Sequence, residues 1–171
     1  MLPRMSHDAA YWINHLRLTR HIEGGYFSEI YKSELRIEAS ALPAAFTASR
    51  HSVTHIYFLL EKDQISALHR IQSDELWHFY AGEPLIVYEI EKDGNLVEHV
   101  LGQNPEKGEK LFSYIKAGSW FGAKLQANDG YALVGCTVSP GFDYADFELA
   151  AKEKITAEFP QHKAIIDLLI G

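Results

Sequence analysis

At 171 residues and 47% hydrophobic composition, the chain is long enough to bury one core and too apolar to be disordered. A net charge of −7 argues against nucleic acid or an anionic membrane as a main partner, and no apolar run approaches the ~20 residues that cross a bilayer. The single cysteine, Cys136, rules out an intrachain disulfide, and with no signal-peptide pattern the expected location is the cytoplasm.

Residues 6–18 carry an apolar stripe at helical spacing (Ala10, Ile13, Leu16), with Ser6 placed to cap its start. Gly24-Gly25 follows and allows a tight entry into a strand beginning at Tyr26, or a close approach of backbone to ligand. Residues 33–50 are mixed, with a loop around Pro43. Ser52 to Leu60 alternates as a strand, with Thr54, Ile56, Phe58 and Leu60 on one face and His55, Tyr57 and Leu59 on the other. Its β-branched and aromatic content rejects a helical zinc pair of His51 and His55. Arg50, just before it, is a candidate for binding a carboxylate or phosphate.

The central stretch, residues 66–82, reads as two strands around the polar turn Gln72-Ser73-Asp74. Ala67, His69 and Ile71 share one face before the turn; Glu75, Trp77 and Phe79 share one after it. Placed face to face, His69 and Glu75 meet in an apolar shell of Ile71, Trp77 and Phe79. Such burial displaces their pKa values and makes them candidates for acid–base work or ligand binding, or else a structural ion pair. His78 falls on the opposite face. Further strands are expected at 85–91, 96–101, 111–115, 120–125 and 131–138, with a hairpin signal at Lys92-Asp93-Gly94-Asn95. Helical patterns close the chain at 148–159 and 163–169 and suit the barrel mouth or a partner subunit. Many short strands at this spacing argue for a sandwich or barrel.

His69, Glu75 and Gly82 stand where the first motif of the cupin superfamily has its first His, its Glu and its Gly, while Ile71 takes the place of the second His. Lys116 to Phe121 resembles the second motif, with Gly118 matching and Phe121 in place of the last metal-binding His. Glu23-Gly24-Gly25-Tyr26-Phe27, Asp74-Glu75-Leu76-Trp77-His78-Phe79-Tyr80 and Val138-Ser139-Pro140-Gly141-Phe142 are more specifically similar to a group of small single-domain cupins of largely undefined function. The resemblance implies a mainly β fold, a double-stranded β-helix or jelly-roll barrel with an N-terminal helix and C-terminal helices. It places one domain over 1–171, with the barrel at about 20–147 and the helical segment at about 148–170. It also implies a homodimer built by sheet-to-sheet contact.

Two ligands are too few for a tight zinc, iron or manganese site, and no cofactor is expected. Leu68-His69-Arg70 is also similar to the segment of the metal-free dTDP-sugar epimerases that holds their catalytic His. That likeness implies His69 as base, supported by Glu75, Asp143 or Asp146, with a tyrosine such as Tyr26 as acid. Trp77, Phe79, Ile71, Trp120, Phe121 and Arg50 complete the expected pocket. The expectation is a small-molecule-binding protein, an epimerase- or isomerase-like enzyme using His69. The alternatives are a non-catalytic ligand-binding cupin and a metal-dependent dioxygenase or isomerase with a reduced ligand set.

Overall fold

The computed structural model describes residues 7–170. Helix α1 (Ala9–His15) starts at Asp8, whose carboxylate accepts the Tyr11 backbone N–H at 2.8 Å. The expected cap, Ser6, lies outside the described residues. Strands β1 (Thr19–Arg20) and β2 (Tyr26–Lys32) follow, then the short β3 (Arg36–Ile37) and β4 (Arg50–His51). The barrel continues through β5 (Thr54–Glu61), β6 (Ile65–Arg70), β7 (Asp74–Gly82), β8 (Leu85–Ile90) and β9 (Leu96–Leu101). It ends with β10 (Phe112–Ile115), β11 (Trp120–Leu125), β12 (Tyr131–Ser139) and β13 (Glu148–Leu149), before helices α2 (Lys152–Glu158) and α3 (Lys163–Leu169).

The strands form a six-stranded sheet, β1-β2-β5-β12-β7-β10, facing a five-stranded sheet, β13-β6-β11-β8-β9, while β3 and β4 pair only with each other. From β5 to β13 the chain alternates between the two sheets, apart from the β8–β9 hairpin, and every pairing of named strands is antiparallel. This is a mainly β jelly roll, as the resemblance implied. The Gln72-Ser73-Asp74 turn therefore crosses from one sheet to the other, so His69 and Glu75 project inward from opposite walls.

Three apolar layers hold the fold. The largest fills the space between the sheets, with Phe58, Trp77, Phe121 and Leu125 almost fully buried. Each such side chain contributes about 1.5–3 kcal/mol. A second layer joins the outer face of the five-stranded sheet (Leu68, Tyr88, Trp120) to Ile155, Ile166 and Leu169 of the C-terminal helices. The third seats α1 on Leu59 and Leu133, on the outer face of the six-stranded sheet.

Two expectations are corrected here. Glu148 and Leu149 do not begin a helix: they pair with Arg70 and His69 as an edge strand, and Arg70 reaches the Glu148 carboxylate at 2.7 Å. The C-terminal helices cover the back of the five-stranded sheet rather than the barrel mouth, because their apolar stripe matches the outward Leu68 and Trp120.

Candidate functional site

One end of the barrel is filled by side chains and the other encloses a cavity of about 250 Å³. Strand alternation supplies its walls. Thr54, Ile56 and Phe58 point inward from β5, Phe27 and Glu29 from β2, and Cys136 and Val138 from β12. His69 comes from β6 with Ile71 just beyond its end, Glu75 comes from β7, and the segment after β12 closes the cavity with Phe142 and Tyr144. Glu29 and Tyr144 are solvent-exposed and mark the mouth.

The polar centre is built around Glu23, in the loop before β2. Gly24 follows it with φ +110°, and a Cβ there would stand 2.1 Å from the Ile65 carbonyl oxygen. Only glycine lets this loop lie directly on β6. The Ala67 N–H donates to the Glu23 carbonyl at 2.7 Å and pins the loop. The Glu23 carboxyl then points inward. Ser66 Oγ donates to one oxygen at 2.9 Å, and His69 Nε2 lies 3.2 Å from the other. His21 Nδ1 is 3.6 Å from that same oxygen.

Hydrogen-bond bookkeeping fixes the proton inventory. His69 Nδ1 is 2.7 Å from the Ala67 carbonyl, which can only accept, so Nδ1 carries a proton. The neutral ring then has a bare Nε2 in close contact with Glu23, outside hydrogen-bond geometry. His21 Nδ1 accepts the Glu23 backbone N–H at 3.3 Å, so it has no proton to offer the carboxyl. Burial pushes the His69 pKa down to about 4 and the Glu23 carboxyl up, against the pull of His21 and the Ser66 hydrogen bond, so burial disfavours the charged form of each. Burial also lowers His21 and keeps it neutral, against the pull of Glu23. Phe121 packs against the His69 ring at 4.1 Å between centroids, and Phe147 at 5.2 Å.

Glu75 stands apart from this group. It is only 8% exposed, and burial, reinforced by the Glu23 charge, raises its carboxyl to about 8. The Cys136 thiol, a weak donor, is its neighbour, and the same burial holds that thiol well above the ordinary value and protonated.

The expected site residues are thus divided. His69, Glu75 and Ile71 line the cavity. His69 is partnered by Glu23, not by Glu75, because the two strands lie in different sheets. Phe121 forms floor beneath the His69 ring, while Trp77 and Phe79 belong to the packed end of the barrel. Trp120, adjacent to Phe121, must face the opposite way; it lies behind the five-stranded sheet with the Arg70 guanidinium 4.4 Å over its ring. Tyr26 is likewise outward, beneath Arg20 at 4.0 Å and packed in the α1 layer. Tyr144 is the tyrosine at the cavity. Arg50 is buried and spent on a bidentate pair with Asp146 at 2.6 and 2.7 Å. That pair removes Asp146 as a support for His69, and Asp143 is turned to the Ala145 N–H. His78 lies on the outer face, as alternation requires, with Nε2 3.2 Å from Thr137 Oγ1.

Glu23, His21 and Ser66 were not singled out in the sequence. The signal that could have found Glu23 was the paired glycine after it: a loop pressed against a strand fixes its neighbour's direction. Ile71 and Phe121 offer no donor atoms at the two vacant ligand places of the cupin motifs. Among the described residues no three His, Cys, Asp or Glu side chains are disposed to hold a metal ion. The residues present do not fit the metal that the motifs imply.

Over residues 10–150 the sequence matches the family described as Cupin superfamily (DUF985). The chain belongs to the cupin superfamily. This cupin is similar over nearly its whole length to a protein from Shewanella oneidensis known by X-ray crystallography. That pair shares 37% identity and a TM-score of 0.87, covering 97% of this chain and 99% of the other. A hypothetical protein from Leishmania major is similar at 35% identity and a TM-score of 0.86, covering 96% and 99%. Oxalate decarboxylase from Bacillus subtilis shares the fold at 19% identity and a TM-score of 0.53, with 89% of this chain matching 36% of that one. No curated protein matches the chain. Among the described residues no helix is long and apolar enough to cross a membrane.

Proposed function

We propose that this cupin binds a small organic molecule in the barrel cavity and moves a proton on it without a metal, as an isomerase- or epimerase-like enzyme. The observation that carries the reading is the Glu23–His69 pair. Its two members stand 3.2 Å apart at the wall of a largely apolar cavity, with His69 locked by Ala67 and Glu23 steadied by Ser66. With Nδ1–H held by Ala67, the bare Nε2 is the atom that can take a proton from a ligand, and the adjacent Glu23 carboxyl can stabilise the imidazolium that forms. His69 remains the base of the proposal, and Glu23 replaces Asp143, Asp146 and Glu75 as its support.

A second reading is a ligand-binding cupin without turnover. It is favoured by the orientation of His69, whose Nε2 faces Glu23 and whose ring is covered by Phe121. In that case the pair only shapes the wall.

The test starts with native mass spectrometry of gently purified protein to identify a co-purified ligand. That compound is then incubated with the protein in D2O and followed by NMR for exchange of carbon-bound protons. Turnover or exchange lost in His69→Ala, with binding retained, supports the enzyme. Binding without exchange in the wild type leaves the binder.

A further inference from the structure

The cavity has a charge character that selects its ligand. Apart from its titratable groups and Thr54, it is walled by Phe27, Phe58, Phe142, Ile56, Ile71 and Val138, and among the described residues no lysine or arginine lines it. The candidate cation, Arg50, is held by Asp146 and by the carbonyls of Ala48 and Ser49. At the mouth, Lys32 is paired with Glu29 at 3.3 Å. A phosphate, diphosphate or carboxylate entering this space would give up its water with no fixed positive charge to replace it.

Glu75 points the other way. Its side chain is more than nine-tenths buried, lines the cavity, and receives no N–H or O–H hydrogen bond among the described residues. Facing it are Glu23 and His21 from the loop before β2, Glu29 from β2, His69 from β6, Cys136 from β12 and Tyr144 from the closing segment. The histidines among them are kept neutral by burial, so nothing in the wall compensates an ionised Glu75. A buried carboxyl open to a cavity, with only the weak Cys136 thiol as donor, has room for a stronger partner, and aromatic faces attract cations. A bare metal ion would need donors that the apolar wall does not supply.

We propose that the ligand of this cavity is a small organic cation, an ammonium or amidinium on an apolar body, whose charged nitrogen pairs with the Glu75 carboxylate. The proposal rests on the cavity being a ligand site and goes further by giving the chemical class. It also disfavours nucleotide sugars, which the likeness to the dTDP-sugar epimerases would suggest. Binding carries a proton linkage: Glu75 is protonated in the empty cavity at neutral pH, so a cation must displace that proton.

Three probes of one shape and different charge test this: benzylamine, benzyl alcohol and benzoate. Binding is read by NMR from the methyl groups of Ile71 and Val138 in wild type and in Glu75→Gln. Benzylamine, protonated throughout pH 6–8, is expected to bind best, with affinity rising roughly tenfold per pH unit as Glu75 ionises. Glu75→Gln should flatten that slope and leave benzyl alcohol unaffected. A substitution-free check is the Glu75 carboxyl titration by carbon NMR, which saturating benzylamine should move down by at least about one unit. If benzyl alcohol shifts the cavity methyls but benzylamine binds no better at pH 8, the cation assignment falls while the cavity stands. The same holds if benzoate binds best, or if the benzylamine slope survives Glu75→Gln. If none of the three shifts those methyls, the cavity is not a ligand site and both readings fall.

Discussion

Single side chains in the cavity make the stability of this cupin depend on pH in two opposing ways. Glu75 holds its proton in the folded state up to about 8, against an ordinary 4.5. Its contribution is therefore complete below 4.5 and is lost as the pH rises to 8. His69 runs in the other direction, since its folded value of about 4 lies below the ordinary 6.5. It favours the folded state fully above 6.5, and that advantage disappears as the pH falls to 4. The two offset each other between 4.5 and 6.5, while His21 adds to the acid-side loss and Glu23 to the alkaline-side loss. From pH 6.5 to 8 the Glu75 effect stands unopposed and costs about 2 kcal/mol. Urea unfolding at these two pH values should show that drop in wild type and little of it in Glu75→Gln. A wild type equally stable at both would mean that Glu75 is not held protonated.

At the scale of elements, the site depends on one loop lying flat on one strand. The loop from His21 to Gly25 is fastened to β6 by the Ala67 N–H and by the absence of a side chain at Gly24. Gly24→Ala adds a methyl at 2.1 Å from the Ile65 carbonyl in a backbone conformation that alanine avoids. The expected cost is about 2–4 kcal/mol, read from the thermal or urea midpoint. The more telling readout is local. Lifting the loop admits water to His69, and since burial is what lowers its pKa, the ring should titrate nearer the ordinary imidazole value in the variant. A His69 titration unchanged by Gly24→Ala would show that the loop does not set the pair. The two readings of Gly24-Gly25 are resolved in favour of strand entry, with the close approach made to β6 rather than to a ligand.

At the scale of the whole molecule, the six-stranded sheet has an outer face that α1 covers only in part. The strand register aligns Tyr31, His55, Thr137, Leu76 and Tyr114 in one row across it, with Phe112 beside Tyr114. Tyr31, Phe112 and Tyr114 are all exposed. A homodimer is the expected assembly, and this row is its expected seam. Sedimentation at micromolar concentration should give twice the 19.4 kDa chain mass, and Tyr114→Glu with Phe112→Glu should return it to a monomer. A wild type that sediments as a monomer would dispose of the dimer, and a double variant that stays dimeric would dispose of this seam.

Alternation within strands is local, and so the sequence already contained the inward faces of β5, β6 and β7, the outward turn of His78, and the jelly roll implied by its motifs. His69 and Glu75 were legible for the same reason. What a strand pattern cannot state is which sheet each strand joins, because pairing is decided between distant segments competing for the same edge. The turn at Gln72-Ser73-Asp74 crosses between sheets, so His69 took Glu23 as its neighbour instead of Glu75. Adjacent residues such as Trp120 and Phe121 were separated by the thickness of a sheet. Arg50 met Asp146 across 96 positions of chain. Periodicity chose the side chains that face inward; the tertiary structure chose their partners, and with them the protons and charge of the cavity.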